Sequence, residues 1–394
     1  MTETGPGPRK GPLWGPTLAI AAGHFLHDVF SSFYAPLLPV LQERLSLTYK
    51  AAGALSVFQR VPSLANPFLG ALADRMCMRR LLVAAPLVTA GSMTLIGLVP
   101  SKVLLALVLL LGGVGSALWH VPAPVVLARV SRQRVGMGMS FFMLAGEGAR
   151  SAGPLLCLAA VSLFGPGGLP LLLPLAFLGS FLVWRATRPL EKEAEERKGR
   201  SRKKESWKPL VRLLAPLAVL VIGKSFLTQA LGTFLPVFIV SRGGSLWLGG
   251  AALAILRATS AAGSLLTGTL SDRWGRKRMV AALTLLSPAL MILMVLAPPW
   301  MLFPCLVMLG LVAYSDNPVL LALVQEESGS RPAVANGIFL FLGFPVRSLA
   351  VVAVGAVADA WGLETAFLWS GIAGFTALAG ILTLPAGSSF ITKP

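Results

Sequence analysis

Charge is scarce in this sequence. Only 13% of its 394 residues are charged and 16 are acidic, while 55% are apolar and the mean hydropathy is +0.76. Soluble domains carry about 25% charged residues, because charge covers their surface. The deficit excludes an ordinary soluble domain, a disordered chain and a fibrous repeat, and it predicts an integral membrane protein.

Cysteine is rare as well. The three cysteines, Cys77, Cys157 and Cys305, lie far apart and show no CxxC or metal-ligand spacing, which excludes a disulfide scaffold. The sequence also contains no Gly-x-Ser-x-Gly, no His-Glu-x-x-His and no phosphate-binding loop. We therefore expect that the protein is not an enzyme, binds no metal or other cofactor, and uses an ion gradient instead of ATP.

Long apolar windows, by contrast, fill most of the chain. A spanning helix needs about 20 mostly apolar residues, and twelve such windows occur in two sets of six. We name them spans 1 to 12 in chain order: 15–41, 51–72, 81–99, 103–128, 135–163, 169–187, 210–240, 247–270, 279–298, 300–325, 332–357 and 363–385. The sequence predicts an all-α membrane protein with an N-terminal six-helix bundle over 1–187, a charged linker over 188–209 and a C-terminal six-helix bundle over 210–394.

The basic residues predict the orientation of the spans. Of the 34 Lys and Arg residues, 25 lie in loops or at span ends on the side of the chain termini, four lie on the opposite side and five lie in the apolar centres of spans. Cytoplasmic loops accumulate Lys and Arg, so we expect both termini and the linker in the cytoplasm and the protein in a prokaryotic plasma (inner) membrane. The formal charge of +18 therefore indicates topology and not a nucleic-acid partner.

The two sets of spans repeat each other. Gly70-Ala-Leu-Ala-Asp74-Arg75 between spans 2 and 3 returns as Gly268-Thr-Leu-Ser-Asp272-Arg273 between spans 8 and 9, 198 residues later. Three further matches occur at nearly the same spacing: Arg60 with Arg257, Arg150 with Arg347, and His120 with Asp316. We interpret the halves as duplicated bundles related by an axis along the membrane normal.

The repeated Gly-x-Leu-x-Asp-Arg loop resembles the signature loop of the major facilitator superfamily, whose members are twelve-helix secondary transporters. This resemblance implies that the loop residues form a conformational latch on the cytoplasmic side: Gly70, Asp74, Arg75, Arg79, Gly268, Asp272, Arg273 and Arg276. The alternative for the additional arginines is that they only set the positive-inside topology.

A closer resemblance is to the bacterial fosmidomycin-resistance branch of that superfamily. It rests on Gly23-His24-Phe-Leu-His27-Asp28 in span 1, on Trp119-His120 in span 4 and on Lys224 in span 7. The resemblance implies proton-coupled export of a small molecule. The four arginines within the spans are not part of the pattern of that branch, so the drug substrate is not carried over to this chain.

Ionisable residues within the spans indicate where the functional site lies. Each costs about 2.5–3.5 kcal/mol at mid-membrane, so such residues are retained for a reason. They occur in the apolar centres of eight spans but not in those of spans 3, 6, 9 and 12. In the superfamily these four spans are the outer ones and the other eight line a central cavity. The distribution therefore predicts a site in that cavity.

Several of these residues are candidates for proton coupling. His24 and Asp28 are four residues apart and share one face of span 1, with His27 beside them. A carboxylate among imidazoles suits reversible proton binding, and the alternative is a hydrogen-bonded pair that holds span 1 against a neighbouring helix. The candidate proton-coupling residues are Asp28, His24, His27, His120, Glu147 and Asp316. No further carboxylate stands at ligand spacing, so we expect no metal.

The buried cations predict an anionic substrate. The apolar centres of the spans hold five cations against three carboxylates, and uncompensated buried cations are costly. Guanidinium groups bind carboxylate or phosphate through two parallel hydrogen bonds. The candidate substrate-binding residues are Arg60, Arg150, Lys224, Arg257, Arg347, Trp119 and Tyr314. Pairing of Glu147 with Arg150 is expected, and the alternative for the remaining cations is neutralisation by Asp28, Asp316 and backbone carbonyls.

These observations predict a secondary active transporter that works by alternating access. Its substrate is expected to be a small organic anion, phosphonate-like or carboxylate-like, or a drug, exported in exchange for protons by a functional monomer in the lipid bilayer. The alternatives are a proton-coupled symporter for uptake and a transporter of an anionic lipid that uses the same cavity.

Overall fold

A computed structural model describes residues 13–66, 68–69, 79–131, 135–188, 208–317, 319–320 and 332–383. Across these residues the secondary structure is helical, with no β-strand. Within the described ranges, eight helices are long and apolar enough to cross a membrane, judged by length and composition. The predicted all-α membrane class is confirmed.

All twelve predicted spans contain helix. The helices of spans 1 to 6 are Trp14–Ser31 and Tyr34–Leu45; Tyr49–Phe58 and Val61–Ala65; Arg79–Met93 and Thr94–Gly97; Lys102–His120 and Pro122–Ser131; Val135–Phe164; and Pro166–Leu172 with Leu173–Thr187. Those of spans 7 to 12 are Lys208–Gln229, Ala230–Phe234 and Leu235–Ser241; Leu246–Trp274; Arg276–Leu296; Pro299–Met301 and Leu302–Ala313; Pro332–Trp361; and Leu363–Gly374 with Ala377–Thr383.

Prolines interrupt three of the spans that carry charged residues. Pro36 follows the break in span 1, Pro122 follows the end of the first helix in span 4, and Pro236 follows the π-helical segment Ala230–Phe234 in span 7. Proline has no N–H to donate to the preceding turn, so the helix breaks or widens there. These breaks lie close to the polar residues of the same spans.

The repeat in the sequence is also a repeat in structural detail. The Thr48 hydroxyl accepts from the Ala51 N–H at 3.1 Å and begins span 2, and the Ser245 hydroxyl accepts from the Leu248 N–H at 3.1 Å and begins span 8. Such side-chain caps satisfy N–H groups that have no partner within the helix. Equivalent residues therefore cap the start of the second span in each half.

An arginine fastens the first span of each half to the third. In the N-terminal half, Arg44 donates to the carbonyls of Gly97 and Val99, the latter at 2.6 Å. In the C-terminal half, Arg242 donates to the Val295 carbonyl at 2.8 Å and pairs with a carboxylate of span 12. Lys102 Nζ also donates to the Ser46 carbonyl at 3.1 Å, so three of the four cations counted opposite the termini have structural partners.

The two halves meet along span 5 against span 8 and span 2 against span 11. At the end opposite the termini, the Asp359 carboxylate accepts from the backbone N–H groups of Tyr49 at 2.7 Å and Lys50 at 2.9 Å. At the same end, the Trp247 indole N–H donates to the Ser162 hydroxyl at 2.9 Å. Each of these contacts joins the start of one half's second span to the other half.

Close backbone approach accompanies these contacts. A methyl group at Gly53 would collide with the Val351 carbonyl, and one at Gly355 would collide with the Tyr49 carbonyl. The largest buried apolar cluster is continuous across both halves, with Phe33 of span 1 and Phe234 of span 7 among its members. The halves are therefore closely packed at this end. The division at 188–209 stays a prediction, since residues 189–207 lie outside the described ranges.

Candidate functional site

Asp28 lies at the centre of a charged cluster in the N-terminal half. Its Oδ2 atom is 3.3 Å from His24 Nε2 and 3.2 Å from Arg150 Nη2. Its Oδ1 atom is 3.5 Å from His120 Nε2 and 3.8 Å from His27 Nε2. Asp28 is buried, whereas 36% of the His120 side chain is accessible. Together with Glu147, these residues form what we call the aspartate cluster, which joins spans 1, 4 and 5.

In His24 and His120, the hydrogen bond made by Nδ1 determines whether the Nε2 atom that faces Asp28 carries a proton. His24 Nδ1 lies 2.8 Å from the Phe142 carbonyl, and His120 Nδ1 lies 3.0 Å from the Ser116 carbonyl. A carbonyl only accepts, so both Nδ1 atoms donate. A neutral imidazole then turns a bare Nε2 lone pair towards Asp28. Each Nε2–carboxyl contact is favourable only when a proton lies on one of its two partners.

Aromatic packing holds the histidines in place. The Phe142 ring stacks on the His24 ring with centroids 3.7 Å apart, and the Trp119 ring lies 5.2 Å from that of His27. Gly146 leaves room for this arrangement, because a methyl group there would collide with the His24 ring. Trp119 has no exposed surface. The structure therefore places it behind the histidines and away from the cavity, and its predicted contact with substrate stays a prediction.

Arg150 binds two carboxylates at once. Its Nη1 atom is 2.5 Å from Glu147 Oε1, one turn earlier in span 5, and its Nη2 atom is 3.2 Å from Asp28 Oδ2. The side chains of Arg150 and Glu147 are 35% and 20% accessible. The expected pairing with Glu147 is present, and Arg150 also reaches across to span 1.

Three arginines interact with Tyr314, and we call them, with Tyr314, the arginine cluster. The Arg257 guanidinium lies 4.3 Å from the centroid of the Tyr314 ring, and the Tyr314 hydroxyl donates to the Thr228 carbonyl at 2.7 Å. Arg60 and Arg347 also interact electrostatically with Tyr314, and Arg60 with both other arginines.

One carboxylate, that of Asp316, attracts Arg347 of the arginine cluster electrostatically. In the described part of the chain, none of its three arginines forms an ion pair within 4.0 Å of a carboxylate. Arg60 Nη1 is buried and has no hydrogen-bond partner among these residues. Spans 2, 8, 10 and 11 therefore bring together an excess of positive charge.

Lys224 and Asp316 pair with each other. Lys224 Nζ lies 2.7 Å from Asp316 Oδ2, and both side chains are less than 10% accessible. Sequence reasoning assigned the lysine to substrate and the carboxylate to protons. The structure brings these two residues together between spans 7 and 10 as a buried ion pair, which leaves neither charge free in this conformation.

The aspartate cluster meets a distance criterion for metal binding. One ligand atom each from His24, Asp28 and His120 lies within 4.8 Å of the others. However, the permanently charged guanidinium of Arg150 lies 3.2 Å from the same carboxylate. A cation bound there would be repelled by this charge. The cluster therefore suits protons better than a metal ion.

The predicted latch is described only in part. Gly70, Asp74 and Arg75 lie outside the described residues, and Gly268 and Asp272 belong to the helix Leu246–Trp274. Arg79 donates to the Thr187 hydroxyl at 3.2 Å and to the Trp184 carbonyl at 3.0 Å, Arg276 donates to the Ser271 hydroxyl, and Arg273 is exposed. The latch role of these residues stays a prediction.

Sequence reasoning missed the partners that are not charged side chains. The carbonyls of Phe142, Ser116 and Thr228 orient His24, His120 and Tyr314, and a carbonyl carries no signal in the sequence.

One charged residue was also missed: Asp359, which joins the halves, stands just beyond the end of the apolar window of span 11. An acidic residue flanking an otherwise apolar window is the one signal that could have drawn attention to it.

The helical spans and the charged cavity define a multi-pass membrane transporter. The family model of the major facilitator superfamily matches residues 20–351, and the chain belongs to this superfamily. It is 27% identical over 376 residues to the "Fosmidomycin resistance protein" of Escherichia coli (strain K12), a match that covers 93% of this chain and 91% of the relative. Both resemblances stated from the sequence are confirmed, and the protein is a transporter rather than an enzyme.

Solved structures show the same fold. A bacterial homologue of the human lysosomal transporter Spinster, in an inward-facing and occupied conformation, has a TM-score of 0.73 at 16% identity, covering 93% of each chain. A D-xylose-proton symporter has a TM-score of 0.71 at 14% identity, covering 96% of this chain and 99% of its own. These likenesses concern the twelve-helix architecture.

Proposed function

We propose that this protein moves a small organic anion across the membrane by alternating access, with the arginine cluster as the substrate site. The observation that carries the proposal is that three arginines interact with Tyr314 while none of them forms an ion pair within 4.0 Å with a carboxylate among the described residues. Such a cluster is costly unless an anion enters it. A phosphonate or carboxylate group matches the paired donors of a guanidinium.

Alternating access is supported by where the halves meet. They are packed together at the end opposite the termini, yet His120 and Arg150 retain accessible surface at the centre. We therefore infer that a central cavity opens towards the side of the termini. With both termini in the cytoplasm, as the basic residues indicate, this conformation faces inward, and the opposite state requires the contacts of Asp359 to break.

We assign proton coupling to the aspartate cluster and the energy source to the proton gradient, without a bound cofactor. The support is the pair of Nε2 atoms directed at Asp28, each of which needs a proton to make a favourable contact. His120 is accessible from the cavity, so a proton can enter through it.

The direction of anion transport relative to that of the proton has two candidates. The printed name of the Escherichia coli relative refers to fosmidomycin resistance, which favours export in exchange for protons by a monomer in a bacterial inner membrane. Uptake together with protons is the alternative. Which of them applies depends on whether a proton and the anion oppose or reinforce each other's binding.

A second candidate is transport of an anionic lipid. One observation favours it: a cavity of about 470 Å³ lies between spans 7, 11 and 12 and has almost wholly apolar walls, including Phe226, Val354 and Trp369. A space of this kind suits an acyl chain. A lipid would then present its headgroup to the arginine cluster.

A thermal-stability screen of the purified protein tests the choice of substrate class. We expect fosmidomycin, phosphonoacetate or succinate to raise the melting temperature, because a ligand that binds only the folded state stabilises it. Arg257→Gln should reduce the shift strongly, while Lys102→Gln, which removes one charge from an exposed loop end, should not. Stabilisation by cationic drugs and by none of these anions would overturn the proposal.

The lipid candidate has its own measurement. Fluorescently labelled phosphatidylglycerol in one leaflet of a proteoliposome reports movement between leaflets when dithionite quenches the outer leaflet. Faster movement with the wild-type protein, abolished by Arg257→Gln, would favour lipid transport. Unchanged movement would leave the soluble anion as the substrate.

A further inference from the structure

The aspartate and arginine clusters are connected by Glu147 and Arg150. Arg150 reaches Asp28 at 3.2 Å and Glu147 at 2.5 Å, and Glu147 interacts electrostatically with Tyr314 at the centre of the arginine cluster. Asp28 is thus linked to Glu147 by two ion pairs through Arg150, and Glu147 acts electrostatically on the proposed anion site.

The groups that face Asp28 define the charge of the aspartate cluster. Span 1 contributes His24 and His27, span 4 contributes His120, and span 5 contributes Glu147 and Arg150. Spans 3 and 6 also pack against span 1 and place no charged side chain at Asp28 within the described ranges. With neutral imidazoles, two carboxylates face one guanidinium, so the cluster carries one net negative charge.

A single proton removes this negative charge. On His24 or His120, it creates an imidazolium that competes with Arg150 for the Asp28 carboxylate. On Asp28 itself, it removes one of the two carboxylates that hold Arg150. In both cases the guanidinium, 35% of whose side chain is accessible, is less neutralised and can turn towards an anion in the cavity.

We infer that a proton bound by the aspartate cluster strengthens anion binding at the arginine cluster, with Arg150 as the residue that links them. This inference rests on the proposed function. A proton and an anion that reinforce each other travel together, whereas exchange requires that each displaces the other. The geometry therefore points to proton–anion co-transport for this chain, and Arg150 acts as a positioning residue.

The sign of coupling can be measured directly. We would titrate detergent-solubilised protein with fosmidomycin in two buffers of different ionisation enthalpy, and repeat the titration with phosphonoacetate. Because linkage is reciprocal, positive coupling requires uptake of up to about one proton per bound anion near neutral pH. The affinity should weaken by up to about tenfold for each unit of rising pH over that range.

Variants separate the link from the anion site. Asp28→Asn should bind the probe with no net proton uptake and a flat pH profile. Arg150→Lys should keep the sign of proton uptake, whereas Arg150→Gln should bind more weakly at low pH and lose most of the pH dependence. Lys102→Gln, a charge removed outside the cavity, should match the wild type.

The outcomes distinguish the two levels of the argument. Proton release on binding, or binding with no proton movement in the wild type, overturns the inference and leaves the anion site intact. No binding of either probe at any pH counts against the proposed function itself. An unchanged pH profile in Arg150→Gln shows that the clusters are coupled, if at all, without Arg150, and overturns its role.

Discussion

The two halves of this molecule share one helical plan but carry opposite charges at matching positions. Asp28 in span 1 corresponds to Lys224 in span 7, and His120 in span 4 corresponds to Asp316 in span 10, each 196 residues later. In the N-terminal half, the carboxylate meets imidazoles at 3.3 and 3.5 Å; in the C-terminal half, a lysine meets a carboxylate at 2.7 Å. The N-terminal contacts need a proton on one of the two partners to be favourable, whereas the C-terminal contact joins side chains of opposite formal charge.

This difference assigns separate tasks to duplicated positions. The imidazole titrates near physiological pH, so the N-terminal half is suited to handle protons. A buried lysine–carboxylate pair resists change, because removal of either partner leaves an unpaired charge. The C-terminal half is thus suited to hold spans 7 and 10 together while Arg257 and Arg347 receive the anion.

The largest expected effect comes from breaking the C-terminal pair. Lys224→Met leaves Asp316 buried without its partner and should lower the free energy of unfolding by about 3–5 kcal/mol. The double variant Lys224→Met with Asp316→Leu should recover most of this loss. Chemical unfolding in detergent measures both, and a single variant as stable as the wild type would contradict the structural role.

The corresponding change in the N-terminal half should affect transport more than stability. Asp28→Asn removes a carboxylate that neutral histidines do not need, and it leaves Arg150 paired with Glu147. We expect proton movement driven by fosmidomycin in proteoliposomes to fall by at least about tenfold, equivalent to about 1.4 kcal/mol. Proton movement at the wild-type rate would show that the aspartate cluster is not the coupling site.

A smaller effect is expected at the contacts that close the end opposite the termini. Asp359→Asn removes the charge that faces the first N–H groups of span 2, and an anion at such a helix terminus contributes about 0.3–1 kcal/mol. Spin labels at Lys102 and Trp300, on a cysteine-free background, should show a larger population with this end open. Identical distance distributions would exclude a role in closure.

The smallest effect is expected at the matching contact of the other half. Ser162 corresponds to Asp359, and its hydroxyl accepts one neutral hydrogen bond from Trp247. Ser162→Ala should shift the equilibrium between open and closed states by less than Asp359→Asn does, since it removes one neutral hydrogen bond at an exposed position where water can replace it. A shift larger than that of Asp359→Asn would reverse the ranking of the two contacts.

Much of the site could be predicted from spacing along single helices. His24 and Asp28 are one turn apart, as are Glu147 and Arg150, and neighbours on one helix face meet regardless of the rest of the fold. Contacts between helices could not be predicted from the sequence. Lys224 and Asp316 were assigned to different tasks because nothing in the sequence states how far spans 7 and 10 are rotated towards each other.

The sequence by itself determined the number of spans, the duplication, the family and the choice of ionisable residues in the cavity. The spans and the cavity residues follow from hydropathy and the placement of charge along the chain, the duplication from motifs repeated at a fixed spacing, and the family from the resemblance of those motifs. The tertiary structure alone decided which charges neutralise each other and which remain free. It showed that Arg150 is shared by two carboxylates and that Arg60, Arg257 and Arg347 interact with one tyrosine. Pairing depends on helix rotation and depth, and those are set by packing over the whole molecule.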